Sequence, residues 1–192
     1  MRIYLKLTPN TETVPFSYQG HLVQKFHEWL GHNEVHDKIS LYSLSWLNRG
    51  KRVKNGLDFQ NGTDWFISSH DMDLIKRVIQ GIQQSPELGF GMVVNELSIS
   101  HAPTFSTKER FTVASPVFIK RNIGEEQKYF YFKDKEANEL LTETLQNKLR
   151  KTNLNTDVQV RFDKEYHNPK IKGTFYKKHK KKGVSPLEIV EQ

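Results

Sequence analysis

The chain has no cysteine. That excludes disulfides, thiolate metal sites and thiol nucleophiles. It has no run of about 18 apolar residues, so no helical membrane span is expected. The opening MRIYLKL is too short and too charged for a signal peptide, and a cytoplasmic protein is expected. Acidic residues are in the minority, 22 against 29 lysines and arginines, for a net charge of +7 and a pI near 9.4. This shortage of negative charge favours a polyanionic partner. Apolar residues make up 36% of the 192, enough for a core under a polar surface, in one large domain or two small ones.

The first hundred residues have a readable order. Ile3, Leu5 and Leu7 alternate with Arg2, Tyr4 and Lys6, the pattern of a half-buried strand. Leu22, Val23, Phe26, Trp29 and Leu30 recur at helical spacing, and Gly31 follows where a helix would stop. Ile39 to Leu47 is rich in strand formers. Asn61-Gly62, between Leu57-Asp58-Phe59 and Trp65-Phe66-Ile67, predicts a two-residue hairpin. Ser68 to Asp71 predicts the cap of a second helix with the stripe Leu74, Ile75, Val78, Ile79 and Ile82, ended by Ser85-Pro86. Gly91 to Ile99 reads as a last strand, with Glu96 interrupting it at a bulge. Strand, helix, strand, strand, helix, strand is the split βαβ, or ferredoxin-like, order.

The stretch FHEWLGHNEVHDKISLYSLSW, Phe26 to Trp46, holds three of the eight histidines within ten residues: His27, His32 and His36, with Lys38 just after. Imidazoles move protons near neutral pH, so crowding them at a helix–loop–strand junction points to acid–base work. The stretch alone equally allows surface histidines at a helix end, where positive charge suits the dipole. A metal site from His32, His36 and Asp37 has a fair ligand spacing. However, Gly31 has already ended the helix and no third strong ligand is evident, so neither metal nor cofactor is expected.

The second half begins the same order again. His101 to Lys108 reads as a linker. Phe111 to Arg121 and Lys128 to Lys133 flank a hairpin turn at Asn122-Ile123-Gly124. Ala137, Leu140, Leu141, Thr144, Leu145 and Leu149 predict a helix, and Val158, Val160 and Phe162 a strand with Ile171 to Tyr176 as its hairpin partner. A short strand follows around Leu187 to Val190. The expected fold class is α+β: two tandem ferredoxin-like (βαββαβ) domains at 1–100 and 109–192, joined by a linker at 101–108, the second incomplete at its C-terminus.

Basic residues concentrate late. Nine lysines and arginines oppose four acids from Arg161 to Gln192, which accounts for five of the seven net positive charges. The run Lys177, Lys178, Lys180, Lys181 and Lys182 lies beside Phe175 and Tyr176. Lysines steer a phosphate backbone and aromatics stack bases. A solvated loop guarding a hairpin edge would look similar. Further patches at Lys51, Arg52 and Lys54, and at Lys120 and Arg121, turn the expectation toward RNA.

Four segments in order, MRIYLKL, NEVHDK running into ISLYSLSW, SPELGFGMVV and VASPVFIKR, make the chain resemble the CRISPR repeat-RNA processing endoribonucleases of the repeat-associated mysterious protein superfamily. The resemblance implies two tandem ferredoxin-like domains and metal-independent cleavage within the repeats of precursor CRISPR RNA. It places His36 of EVHD as the general base, His27 as the second acid–base group and Lys38 against the phosphate, with His32 as a spare. It implies repeat RNA as partner, with other subunits of a CRISPR effector complex as further candidates, in a monomer or homodimer. Family members usually continue with a further helix and a glycine-rich loop; Gly89-Phe90-Gly91 is an internal segment that does not match that loop. A binder of repeat RNA with the same fold and no catalysis, and a basic structural protein, are the alternatives.

Overall fold

Alternation along the opening residues produces strand β1 (Arg2–Leu7), with Ile3, Leu5 and Leu7 buried and Arg2, Tyr4 and Lys6 exposed. The computed structural model describes residues 1–32, 41–101, 103–111, 117, 119–163 and 187–191. The chain divides into two units, Met1–Pro103 and Thr104–Gln192.

The first unit contains helix α1 (Gln19–Leu30), strands β2 (Tyr42–Leu44), β3 (Lys51–Val53), β4 (Gly56–Asp58) and β5 (Thr63–Ser69), helix α2 (Met72–Gln84), and strands β6 (Glu87–Gly89) and β7 (Met92–Ser100). The sheet order β2-β5-β1-β7-β6, with every neighbouring pair antiparallel, is the ferredoxin-like arrangement extended by one edge strand. One face of the sheet presents Ile3, Leu5, Trp65 and Ile67 to Leu22, Phe26, Trp29, Ile75 and Val78 of the helices.

Asp71 caps α2 by accepting from the amides of Asp73 (2.8 Å) and Leu74 (3.1 Å). Asp71→Ala is expected to cost about 0.5–2 kcal/mol, read as a fall in the denaturant midpoint at unchanged slope. The two helices meet at Gly81, where a Cβ would stand 2.1 Å from the Trp29 carbonyl oxygen. Any side chain there forces the backbones apart.

Three expectations need correction. Asn61-Gly62 makes a tight turn, with the Gly62 amide donating to Phe59 O at 2.8 Å, but it joins no hairpin. β4 pairs instead with β3, and β5 pairs with β1 and β2. Gly62 has φ 70°, and a Cβ on it would meet Leu7 O at 2.2 Å; the glycine serves close approach to β1. Val23 is 44% exposed, because the buried stripe of α1 is carried by Leu22, Phe26, Trp29 and Leu30. Of the strand expected over Ile39–Leu47, the described residues form the three-residue β2, while Leu47 is buried and its amide donates to the Tyr18 hydroxyl. Burial pushes the Tyr18 phenol above its usual pKa. The bulge falls at Asn95: Lys6 faces Glu96 while Leu7 faces Val94, and Glu96 turns outward to meet Lys6 at 2.7 Å. Gly89-Phe90-Gly91 forms the turn between β6 and β7, all three residues at positive φ.

The second unit contains β8 (Lys108–Phe111), β9 (Ile119–Ile123), β10 (Glu126–Phe130), α3 (Ala137–Lys151), β11 (Val158–Phe162) and β12 (Leu187–Glu191). β9 and β10 form a hairpin, and a second sheet has the order β11-β12-β8. β12 lies antiparallel to both neighbours, which reproduces the central part of the ferredoxin-like order.

The strand expected to pair with β11, Ile171–Tyr176, falls outside the described residues. One edge of β11 holds β12. At Val158, Val160 and Phe162 its backbone groups bond instead to a polar stripe of α3: Gln146 Nε2 donates to Val158 O (3.2 Å), Thr142 Oγ1 exchanges bonds with Val160, and Asn138 Oδ1 accepts from the Phe162 amide (3.0 Å). Helix side chains satisfy what a strand would otherwise pair with.

Candidate functional site

The end of α1 and the start of β2 bring the first candidate side chains together. His27 lies in the last turn of α1, where a cation suits the carbonyl end of the helix. Its ring stands edge-on to Phe26, with centroids 5.2 Å apart, and edge-on to Tyr42 at 6.1 Å. The Tyr42 hydroxyl is 3.3 Å from His27 Nε2, a hydrogen bond whose direction follows the imidazole tautomer. Tyr42 itself packs on Phe26 at 4.5 Å. His27 therefore has an apolar wall on one side and a phenol on the other, a setting in which an imidazole keeps one orientation.

Arg77 of α2 fixes the exit of α1. Its guanidinium donates to Leu30 O at 2.8 Å and to His32 O, taking carbonyls that a helix C-terminus leaves without partners. Gly31, at φ 69°, donates its amide back to His27 O (3.1 Å) and Glu28 O (3.2 Å). His32 is exposed at the entrance of the following segment. At the other end, Ser69 Oγ donates to Leu41 O at 3.3 Å, and Tyr42 faces Ser69 across the sheet. Both ends of the segment 33–40 are thus fastened. His36, Asp37 and Lys38 belong to it and lie outside the described residues. Among the described residues no group of three or more His, Asp or Glu side chains gathers as metal ligands.

The basic candidates are placed differently from one another. Lys51 and Arg52 on β3, and Lys54 in the turn after it, are exposed, and Arg52 stands over the Phe16 ring at 5.3 Å. Lys120 is exposed on β9. Arg121 is half-buried and held by α3, donating to Leu140 O (2.7 Å) and Thr144 Oγ1 (2.8 Å) and facing Glu143 at 3.3 Å. Its guanidinium braces the hairpin against the helix. Lys177, Lys178, Lys180, Lys181 and Lys182 lie outside the described residues.

Two side chains near the site escaped the sequence reading. Tyr42 passed as an ordinary strand former, and Arg77 was not singled out. Their roles come from contacts between elements, which local spacing does not carry.

No family model matches the chain, and no curated protein matches it. Solved structures do. The product of a Cas6-related gene from Pyrococcus furiosus superposes with a TM-score of 0.76 at 19% identity, over 100% of this chain and 87% of that one. A RAMP protein described as binding different RNA substrates gives 0.72 at 15%, over 100% and 88%. A CRISPR-associated protein Cas6 gives 0.72 at 18%, again over 100% and 88%. At these identities the likeness is one of fold, and it runs the whole length of the chain.

Proposed function

We propose that this protein is a Cas6-type endoribonuclease that cuts precursor CRISPR RNA within its repeats, without a metal ion, in the cytoplasm. The observation that carries the reading is the junction of α1 and β2. His27 is held beside Tyr42 there, and chain connectivity puts His36 and Lys38 between the same two elements, in a chain whose whole length superposes on Cas6 structures.

The chemistry follows from the residue types. His36 takes the proton of a ribose 2′-hydroxyl, and the 2′-oxygen attacks the adjacent phosphorus. The bond from phosphorus to the 5′-oxygen breaks, and His27 delivers a proton to that leaving oxygen. Lys38 meets the negative charge that builds on the phosphate. The products are a 2′,3′-cyclic phosphate and a free 5′-hydroxyl, with every proton accounted for by the two imidazoles. His32, exposed beside the segment, is the spare. The net charge of +7 and the exposed Lys51, Arg52, Lys54 and Lys120 draw in the RNA backbone. Further effector-complex subunits are additional proposed partners.

The test is incubation of the protein with repeat RNA in excess EDTA. Cleavage with a cyclic phosphate end is expected. Loss of cleavage in EDTA, restored by a divalent ion, would overturn the metal-free assignment and revive the His32, His36 and Asp37 set. RNA that is bound and never cut would favour the second reading, a non-catalytic repeat-RNA binder, which the likeness to a RAMP protein described as binding RNA supports.

A further inference from the structure

The helices of the first unit cover one face of its sheet. The other face carries Arg2, Tyr4 and Lys6 of β1 and Asp64, Phe66 and Ser68 of β5. Tyr4 and Phe66 are direct cross-strand partners on the two central strands, with ring centroids 5.8 Å apart. Tyr4 is 37% exposed. Arg2 stands over the Phe66 ring, 4.4 Å from its centroid, and is fixed there by bonds from Nε to Ser68 Oγ (2.8 Å) and from Nη1 to the Tyr4 hydroxyl (3.3 Å). These bonds use two of the guanidinium's five donors.

The surroundings leave this group accessible. Across from Arg2 and Tyr4 on β7 stand Ser100 and Ser98, both too short to cover a ring. Charge separates Arg2 from the other cations of the face. Lys6 is paired with Glu96 and Arg49 with Asp64. Arg2 has neutral partners among the described residues. The patch lies on the face of the sheet opposite the one where Tyr42 packs on Phe26 of α1. Ser68, which holds Arg2, is the register partner of Ser43, the residue after Tyr42. Arg2 and Ser43 are therefore two strand spacings apart, roughly 10 Å.

We propose that Arg2, Tyr4 and Phe66 form a base-stacking platform for single-stranded RNA on the open face of this sheet. An aromatic face and a guanidinium plane each accept a base of any identity. The free donors of Arg2 and the serine hydroxyls suit phosphate and ribose oxygens. The platform supplies sequence-tolerant grip on the sheet face away from the helices, and this inference rests on the RNA-processing reading.

The experiment compares full-length protein with its Tyr4→Ala, Phe66→Ala and Tyr4→Phe variants. Two probes are used: a short uridine oligoribonucleotide and an abasic ribose-phosphate oligomer of equal length. The wild type is expected to prefer the uridine oligomer. Tyr4→Ala and Phe66→Ala should each weaken uridine binding roughly 5- to 100-fold, leave the abasic oligomer unaffected and keep the salt slope, because no charge is removed. Tyr4→Phe should bind like the wild type. Unchanged uridine affinity in both alanine variants would overturn the platform while RNA binding stands. An equal loss on both probes would also overturn it, since the ring pair would then only brace the sheet. A wild type that binds neither probe would remove the RNA reading and the platform together.

Discussion

His36→Ala is expected to slow cleavage of repeat RNA by roughly 10²–10⁴, the usual span for losing a general acid or base, while RNA affinity stays unchanged. In the proposed mechanism the imidazole acts on the 2′-hydroxyl proton, whereas phosphate contacts hold the strand. His27→Ala should cost less, because water can protonate the leaving oxygen. His32→Ala should be mild. A single 2′-deoxy nucleotide at the cut removes the nucleophile and should abolish cleavage with binding intact. If the deoxy substrate is still cut, the attacking group is water and His36 has another role. If His32→Ala is the most damaging variant, the reaction stands but the base is the other histidine. Single-turnover rates with saturating enzyme separate these outcomes from changes in affinity.

Trp65→Ala should be the most destabilising change in the first unit, by about 3–5 kcal/mol. The side chain is fully buried on β5, lies 5.8 Å from the Trp29 ring, and donates from its indole nitrogen to Ser45 O at 2.9 Å. Removing it opens a cavity between sheet and helices and takes a donor from the end of β2. Domains of this kind have about 5–15 kcal/mol in total, so the loss is a large share. Chemical denaturation of wild type and variant measures it. A difference below about 1 kcal/mol would mean that the site collapses to fill the space, contrary to a close-packed core.

What could be read from the sequence was whatever depends on neighbours along the chain. β1 shows its alternation in three buried and three exposed residues. The cap at Asp71 and the stripe of α2 were equally plain, because both are written within one or two helical turns. The Asn61-Gly62 signal identified a turn but misassigned its strands. Turn chemistry is local, whereas the choice of β3 for β4 and of β1 and β2 for β5 belongs to the whole sheet. The same limit hid the polar stripe of α3. Asn138, Thr142 and Gln146 look like ordinary surface residues until β11 is laid beside them. At the candidate site, His27 could be singled out by residue type. Its partner Tyr42 could not, since fifteen residues separate them and only the register of β2 brings them into contact.

The position of β12 bears on how the chain is made. In the first unit β5 is synthesised after both β1 and β2 and fills the place between them. The second unit repeats this step with β12. β8 and β11 leave the ribosome with an unfilled place between them, and residues 187–191 arrive only later to occupy it. In that interval both strands have bare edges, the surfaces on which chains join each other wrongly. A slow translation stretch after Phe162, or an unfolded first unit nearby, would prolong this exposure. Chaperone capture of the nascent chain is accordingly expected to peak twice, before β5 and again before β12 is in place.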